Sequence, residues 1–397
     1  MPPSSIFAAD TRDTGDIESQ GPSRGLEPRT GALRDTRRGE VRGNMRKRSN
    51  TRPKSARTAG SLCLVSVVLS VACGGRTGLP SGAASGDAGL GVDGGACVPE
   101  VIAHDPAGAG PIAVEDGVVV WGTVDGRVER RDSKGTATLA TAPAAIASVA
   151  MSGGRVYFTT TGTLSSVAAG GGPTLTIASS LGLPFALVVD GTTYYLLDRG
   201  QGIAAGRLLR IEDGGAVKVL LTGLDVPTGI AIDGDSVFVA AHLALIDGGT
   251  LGPLLRVPKA GGTPKVLATG LHETSSIATY EGRVFFIEQV NAQSSFPGAV
   301  RSIDESGGAI TTLASIDGAL GIDLAVDASG IYWTALATTE GTLHRTPLAG
   351  GASTVLATGP KVQFTYVRTT ASAIYWSIGW LTANTPADPV SVRKLCK

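Results

Sequence analysis

The sequence predicts an all-β chain folded as a β-propeller of seven four-stranded blades. Three observations lead to this prediction. The 397 residues include 56 Gly, about twice the usual share of roughly 7%, as expected for a fold with many tight turns. After residue 111, an apolar phrase with aromatic residues recurs seven times, at a period typical of propeller blades. No segment shows a sustained helical period.

The chain begins with two segments that we place outside the propeller. Residues 1–44 are rich in Arg, Asp, Gly, Ser and Thr, and too few apolar side chains are present to offset the entropy lost on ordering, so we expect disorder. Residues 45–72 contain basic residues after Met45 and then the apolar run LCLVSVVLSVA, which ends at Ala72. This is the pattern of a signal peptide, and the run is too short to span a membrane. We therefore expect export, with translation starting at Met45 and residues 1–44 left untranslated.

Two kinds of cleavage before Cys73 are consistent with the sequence. Residues 69–72, LSVA, resemble a bacterial lipobox, whose cysteine receives a lipid, although such motifs usually have Leu where this chain has Ser70. The same residues satisfy the rule for ordinary signal peptidase, which would give a soluble secreted protein. Residues 73–96 are rich in Gly, Ser and Asp and read as a flexible tether, which favours lipid attachment at Cys73. An uncleaved chain is the third alternative.

Each repeat in residues 97–397 reads as four short strands. The first two form a hairpin, as in IAVEDGVVVWG from 112 and LAVDASGIYWTA from 324, and the last two form another, as in GRLLRIEDGGAVKVLLTG from 206. The first turns recur 36 to 48 residues apart, at Gly117, Gly153, Gly191, Gly234, Gly282, Gly330 and Ala373. Gly pairs such as Gly214-Gly215 fall at the second turn, where positive φ is needed. Short strands bounded by such turns indicate consecutive hairpins.

The two ends of the repeat region complete one another. The last copy stops at Lys397 after three strands, and an orphan strand, CVPEVIAH, precedes the first copy at 97–104. If this strand completes the last blade, the ring has no open edge. Antiparallel pairing then places Cys396 beside Cys97, and in an exported protein the two predict a disulfide. Closing so long a loop should stabilise the fold in the chain-entropy model, because it constrains the unfolded chain.

The phrases IYWTA at 331–335, IYWSI at 374–378 and VYFTT at 156–160 resemble the YWTD and NHL-type repeats of bacterial and extracellular propellers, including the TolB-like group. The resemblance covers about residues 100–397 as a repeat pattern. This chain lacks the Asp that follows Tyr-Trp-Thr, and it has seven copies where YWTD and TolB-like propellers usually have six. The resemblance implies binding of proteins, peptides or glycans, and some related propellers are lactonases or lyases.

Propeller geometry predicts which face binds a partner. Connections between second and third strands, and connections between blades, share one face, and the long insertions from 198, 241, 288 and 377 all fall there. Binding and catalytic residues are often found in such loops on a rigid scaffold. The candidate binding residues on this face, with Trp380 as a stacking side chain, are Asp198, Arg199, His242, His272, Glu273, Glu288, Asn291 and Trp380. We expect Trp121, Trp333 and Trp376 to lie in blade cores instead.

The same face offers a weaker candidate metal site. Calcium or zinc would need several carboxylate, imidazole or amide ligands converging on the axis, and His242, His272 and Glu288 could supply them if their loops fold inward. This alternative predicts a metal-dependent lactonase or lyase. The main hypothesis, a binding module, needs no cofactor, since scattered acidic residues and histidines are common on solvated loops.

Composition and missing motifs argue against several classes of function. Equal numbers of basic and acidic residues, 34 each, and 5% aromatic residues argue against a nucleic-acid partner. The sequence has no nucleophile elbow, zincin motif or Walker sequence. We predict an exported, lipid-anchored binding module of the bacterial cell envelope, whose partner is a protein, peptide or glycan and whose membrane contact is the anchor alone. The alternatives are the lactonase or lyase and a permanent part of an outer-membrane assembly.

Overall fold

The computed structural model describes residues 97–397, apart from 202–203, 245–249, 292–295, 338–339, 361–362 and 380–390. Within these residues the chain is all-β and forms seven four-stranded antiparallel sheets arranged as a β-propeller, which confirms the predicted fold. No helix in this part of the chain is long and apolar enough to cross a membrane. The predictions for 1–44, for 45–72 and for the tether at 73–96, with Cys73, lie outside the described residues.

The first described strand and blades 1 to 3 occupy the N-terminal half of the ring. Strand β1 is Glu100–His104. Blade 1 consists of β2 (Ile112–Glu115), β3 (Val118–Gly122), β4 (Arg127–Asp132) and β5 (Gly135–Thr141). Blade 2 consists of β6 (Ser148–Ser152), β7 (Arg155–Thr160), β8 (Thr163–Ala168) and β9 (Leu175–Ala178). Blade 3 consists of β10 (Pro184–Asp190), β11 (Thr193–Asp198), β12 (Gly206–Glu212) and β13 (Val217–Leu224).

Blades 4 to 7 follow in chain order. Blade 4 consists of β14 (Val226–Asp233), β15 (Ser236–Ala244), β16 (Thr250–Pro258) and β17 (Lys265–His272). Blade 5 consists of β18 (Thr274–Tyr280), β19 (Arg283–Asn291), β20 (Phe296–Asp304) and β21 (Thr311–Ser315). Blade 6 consists of β22 (Ala319–Asp327), β23 (Gly330–Ala337), β24 (Glu340–Thr346) and β25 (Thr354–Pro360). Blade 7 contains β26 (Gln363–Thr369), β27 (Ala373–Gly379), β28 (Ser391–Cys396) and β1.

The first strands of the blades form the inner ring. Each of β2, β6, β10, β14, β18, β22 and β26 contacts the inner strand of the next blade, and β26 contacts β2. Apolar side chains fill the space between blades: Leu197 and Leu208 of blade 3 pack with Val237 and Val239 of blade 4 in one buried cluster. Trp121, Trp333 and Trp376 are buried, as predicted.

The N-terminal strand closes the ring as the sequence predicted. Strand β1 pairs antiparallel with β28, so that blade 7 has the order β1-β28-β27-β26. A disulfide joins Cys97 to Cys396, whose Cα atoms are 5.5 Å apart. The terminal Lys397 reaches back to blade 6, where its ammonium group donates to Asp327, and it also donates to the Thr370 carbonyl at 2.6 Å. The last residues are thus fixed at the seam of the ring, by which we mean the place where β1 pairs with β28.

One face of the ring carries the short turns. The turn between β12 and β13 contains Gly214 (φ 95°) and Gly215 (φ 84°), a conformation that Gly adopts without steric cost. Third-strand arginines fasten such turns to the preceding blade: Arg210 donates to the Lys259 carbonyl at 3.2 Å, and Arg256 to the Glu305 carbonyl at 3.3 Å. The cations at these positions therefore serve contacts between blades.

The opposite face carries the long connections, and two of these differ from the loops that we expected at 241 and 288. Strands β15 and β16 continue outward and still pair at Ala244 and Thr250, and β19 and β20 still pair at Asn291 and Phe296. Pairing satisfies backbone groups that a loop would leave to solvent. Blades 4 and 5 therefore each extend a β-ribbon from this long-loop face.

Candidate functional site

The inner strands of blades 3 to 7 are interrupted by bulges close to the long-loop face. The register shifts between Pro184 and Ala186, between Pro227 and Gly229, and between Thr274 and Ser276. Similar shifts fall between Gly321 and Leu324 and between Phe364 and Val367. A bulge re-aims side chains and ends regular pairing, and bulges are common beside functional sites. The bulges make the centre of this face irregular and chemically varied.

Arg199 lies on the long-loop face, directly after strand β11. Its backbone N–H donates to the Leu183 carbonyl at 3.1 Å, and its guanidinium carbon lies 4.1 Å from the centre of the Phe185 ring. Phe185 is the bulge residue of β10. Arg199 is exposed at the surface, although desolvation by neighbouring atoms lowers the pKa of Arg199 and Tyr366 acts in the opposite direction. The aromatic ring and the backbone contact hold this cation in one place.

His242 lies at the base of the blade 4 ribbon. It is 5% exposed, and its Nε2 lies 3.3 Å from the Thr274 carbonyl of blade 5. Burial lowers the pKa of His242, and Arg199 lowers it further, against the opposite effects of the Thr274 carbonyl and of nearby Glu273 and Asp225. The ring is therefore neutral near pH 7, with Nε2–H as the donor to Thr274.

Two acids on connections between blades complete the surroundings of His242. Glu273 is exposed, and its backbone carbonyl accepts a hydrogen bond from the Gln289 N–H at 2.8 Å. Asp225 is half-buried and accepts the N–H of Ala204 at 3.0 Å. We call these groups the channel-mouth cluster, which consists of Phe185, Arg199, Asp225, His242, Glu273 and Tyr366.

Tyr366 belongs to blade 7, across the ring from Arg199. Burial raises the pKa of Tyr366 and so does Asp323, whereas Arg368 and Arg199 lower it. Arg199 also acts electrostatically on both His242 in blade 4 and Tyr366 in blade 7. The cluster therefore combines aromatic, cationic, anionic and neutral imidazole groups at one end of the channel.

Asp198 and Glu288, which we predicted for the binding face, are buried in structural contacts at that end of their blades. Asp198 is fully buried, accepts the N–H of Leu183 at 2.7 Å and pairs with Arg207. Glu288 is 2% exposed, accepts the His272 N–H at 2.7 Å and pairs with Arg301 at 2.9 Å. Both carboxylates fasten the chain where it enters their blade.

A third carboxylate links three blades. Asp323, in the bulge of β22, accepts from the Ser276 hydroxyl at 2.6 Å, from the Val367 N–H at 3.0 Å and from Arg368 at 2.8 Å. The donors belong to blades 5 and 7, on either side of blade 6. Asp323 is 9% exposed, so this network stabilises the inner ring beneath Tyr366.

The candidate metal ligands lie in separate contacts. Glu288 is engaged by Arg301, His242 contacts a backbone carbonyl, and His272 is half-buried at the end of β17. In the ranges that the structure describes, no three His, Cys, Asp or Glu residues are grouped so that they could hold a metal ion. Trp380 and the side chain of Asn291 lie outside the described residues.

Sequence reasoning named Arg199, His242 and Glu273 as candidates, and Arg199 and Glu273 act electrostatically on His242 with opposite signs. It did not name Phe185 or Tyr366. Phe185 belongs to the apolar run PFALVV of strand β10, and its sequence context suggests a core residue of that strand. Its position depends on a bulge, which the local sequence does not specify.

Comparison with known proteins finds structural but no sequence relatives. No protein-family description matches the chain, and no curated protein matches it. The structure is similar to one in a nidogen/laminin complex (18% identity, 61% of this chain and 93% of that chain, TM-score 0.46). It is also similar to BamB from Moraxella catarrhalis (16%, 73% and 82%, 0.45) and to a putative TolB from Agrobacterium tumefaciens (11%, 67% and 95%, 0.44). At these identities the likeness concerns propeller architecture and assigns no ligand.

Proposed function

We propose that the chain is exported and that its propeller is a binding module of the bacterial cell envelope, which contacts a protein, peptide or glycan through the long-loop face. The observation that carries the proposal is the difference between the two faces. On the short-turn face, Arg210 and Arg256 donate to turns of the next blade. On the long-loop face, exposed charges and two ribbons surround the centre of the ring.

The export part of the proposal is supported by the disulfide between Cys97 and Cys396. Disulfides persist in oxidising compartments such as the periplasm and the cell surface. Export is also supported by the signal-like segment at 45–72 and by the lipobox-like cysteine at 73. Lipid attachment at Cys73 would keep the ring at a membrane, with the Gly-rich segment 73–96 as spacer.

The location is tested with the full chain produced in a bacterial host. We expect the wild type in the membrane fraction, and we expect Cys73→Ala in the soluble periplasmic fraction or the medium. Faster migration of the wild type without reductant reports the disulfide. Retention of the wild type in the cytosol, with free thiols at Cys97 and Cys396, would contradict export. An unchanged membrane fraction for Cys73→Ala would contradict lipid attachment.

The binding face is tested by photo-crosslinking in cells. One variant carries a photo-reactive amino acid in place of Leu183, which is 38% exposed on a connection of the long-loop face. The matched control carries it in place of Asp213, which is exposed in a short turn. We expect discrete adducts from position 183 and few from position 213. Equal adducts from both positions, or none from position 183, would contradict the proposal.

A further inference from the structure

A cavity of about 200 Å³ lies between blades 5 and 6, along the flank of blade 6. Its buried walls are the side chains of Ile316, Trp333 and Ala335. The half-buried His344 and the exposed Ser315, Asp317, Ser353 and Val355 line the rest. The volume is smaller than the roughly 300 to 1,000 Å³ of sites for drug-sized ligands, so it suits one side chain or one small molecule.

Contacts between the two blades hold this cavity in shape. The Gly351 N–H, in the short turn of blade 6, donates to the Leu313 carbonyl of β21 at 3.0 Å. The Ile316 N–H, just after β21, donates to the Gly298 carbonyl at 3.1 Å, and Ile316 packs with Trp333 in one buried cluster. The cavity is therefore bounded by fixed backbone on both sides.

His344 occupies a position that leucine fills in blades 3 and 4. It is the cross-strand partner of Trp333, the fourth residue of the second strand. The partners of the fourth residue in blades 3 and 4 are Leu209 and Leu255, which are buried. The imidazole instead stacks on the Trp333 ring with centroids 4.0 Å apart. Blade 6 thus has polar nitrogen atoms where two other blades have only apolar contact.

The hydrogen bonds of His344 define which nitrogen faces a ligand. Its Nε2 lies 2.8 Å from the Thr342 hydroxyl oxygen, and that hydroxyl donates to the Ala335 carbonyl at 3.5 Å. The Thr342 oxygen therefore accepts the Nε2–H. Burial lowers the pKa of His344 to about 4, so the ring is neutral near pH 7 and Nδ1 is an acceptor. Within the described residues, no donor reaches Nδ1.

The other polar groups of the cavity also leave an acceptor free. The Trp333 Nε1–H is already used, since it donates to the Thr346 hydroxyl at 2.9 Å, and Thr346 contacts the Ser353 hydroxyl at 2.8 Å. The exposed Asp317 carboxylate forms no ion pair or hydrogen bond with any residue that the structure describes. A complementary ligand must therefore bring N–H donors, positive charge and an apolar part.

We propose that this cavity binds an organic cation that carries N–H donors on an apolar stem, as the side chains of lysine and arginine do. Its cationic group pairs with Asp317 and donates to Nδ1 of His344, and its stem contacts Ile316, Ala335 and Val355. Its source is a free amine or a side chain of a partner protein. The inference goes beyond the proposed function, since it concerns the flank of blade 6 and requires no contact at the channel mouth.

The test measures binding of n-butylammonium and n-propylguanidinium to the purified full chain by ligand-observed NMR and calorimetry, at neutral pH and low salt. Three counterparts each change one property. Butanol has no charge, butyrate has the opposite charge, and tetramethylammonium has the charge without N–H donors. We expect saturable binding of at least one of the two cations, and at least about fivefold weaker binding of all three counterparts.

Protein variants assign the two contacts. Asp317→Asn keeps the side-chain shape, and it should weaken the cations about two- to fivefold, as for one exposed ion pair, without changing butanol. His344→Phe keeps a ring on Trp333 and removes the acceptor, so it should weaken the cations about fivefold without changing tetramethylammonium. Asp213→Asn, in an exposed turn, is the matched control and should bind as the wild type does. Thermal unfolding establishes that each variant is folded, and Asp317→Asn tests the site even if His344→Phe alters packing.

Three results would overturn the inference: butanol or butyrate bound as tightly as butylammonium, unchanged affinity in Asp317→Asn, and no saturable binding of either cation. A further probe distinguishes the two sources. N-acetyl-lysine N-methylamide has the same cation on a peptide backbone, and its binding as tightly as butylammonium would identify a partner's side chain. Much weaker binding of this probe would identify a free amine. None of these results decides the proposed function, which the crosslinks from position 183 test separately.

Discussion

Asp198 and Glu288 occupy the same place in two different blades. Each pairs across the blade with the first residue of the inner strand, Pro184 for Asp198 and Thr274 for Glu288. Each accepts a backbone N–H from the chain just ahead of its blade, Leu183 for Asp198 and His272, the last residue of β17, for Glu288. Each also forms an ion pair with an arginine of the third strand. The repeat thus contains a buried carboxylate that fixes the entering chain, present in blades 3 and 5.

Replacing this carboxylate should lower stability strongly. Asp198→Ala leaves the N–H groups of Gly182 and Leu183 and the guanidinium of Arg207 without their buried acceptor. We expect the free energy of unfolding to fall by about 3 to 5 kcal/mol, as for other broken buried pairs. Urea denaturation followed by tryptophan fluorescence measures it. Asp213→Ala, in an exposed turn, is the control, and equal midpoints for the two variants would contradict the role of Asp198.

The disulfide should stabilise the closed ring. Cys97→Ser and Cys396→Ser each remove a crosslink between residues that are 299 apart in sequence, which frees the unfolded chain. We expect a loss of about 5 to 6 kcal/mol on the chain-entropy model, measured by denaturation without reductant. The wild type in reductant should match the variants. If the wild type is equally stable with and without reductant, the crosslink does not act in this way.

Asp327 should make the seam sensitive to acid. Burial disfavours its charge, but hydrogen bonds from Lys397, Ser329 and Thr369 outweigh burial and lower the pKa of Asp327 from 3.8 to about 2. Because the folded-state pKa is lowered, this stabilisation is present above about pH 4 and is lost as the pH falls towards 2. Asp327→Asn should therefore flatten the stability profile between these values. Thermal unfolding across the range measures the slope.

A matched variant distinguishes the contact from general acid unfolding. Lys397→Ala removes the ammonium donor to Asp327 and should reduce the same slope in part, since Ser329 and Thr369 still donate. Asp213→Asn should leave the slope unchanged. An Asp327→Asn variant whose profile parallels that of the wild type would show that the Asp327 contacts do not stabilise the folded chain.

His344 should produce a second pH effect, in a different range. Its ring stacks on Trp333 with centroids 4.0 Å apart, and burial lowers the pKa of His344 from 6.5 to about 4. The folded chain therefore disfavours the protonated ring, so stability is full above about pH 6.5 and falls as the pH drops towards 4. His344→Gln should remove this decline, whereas His104→Gln, exposed on β1, should retain it. An unchanged decline in His344→Gln would refute the assignment.

The architecture was predictable because it repeats. Gly turns, alternating strands and the orphan strand at 97–104 each occur in a register that one blade after another reinforces, so seven blades and their closure follow from the printed sequence. The ribbons of blades 4 and 5 were less predictable. In blade 4 the sequence DGG at 247–249 fits an open loop as well as the turn of a longer hairpin.

The candidate site was predictable in part. Arg199, His242 and Glu273 follow from their places after second strands and between blades, because those places fix the face. The burial of Asp198 could not be predicted from its residue type alone. The sequence does contain a signal for it, since the hairpin register sets Asp198 directly opposite Arg207 and would pair the two charges. The stacking of Phe185 under Arg199 depends on a bulge and on a contact between two strands. The local sequence specifies neither of these.

The disulfide at the seam also determines how the ring carries load. Tension applied to the chain ahead of Cys97 passes through the covalent bond to Cys396 before it reaches the hydrogen bonds of β1. The closing strand therefore cannot be peeled from β28 by pulling from the N-terminal side while the bond is intact. If the chain is held at that end, the force therefore acts on β28 of blade 7 through the disulfide, and the ring remains closed.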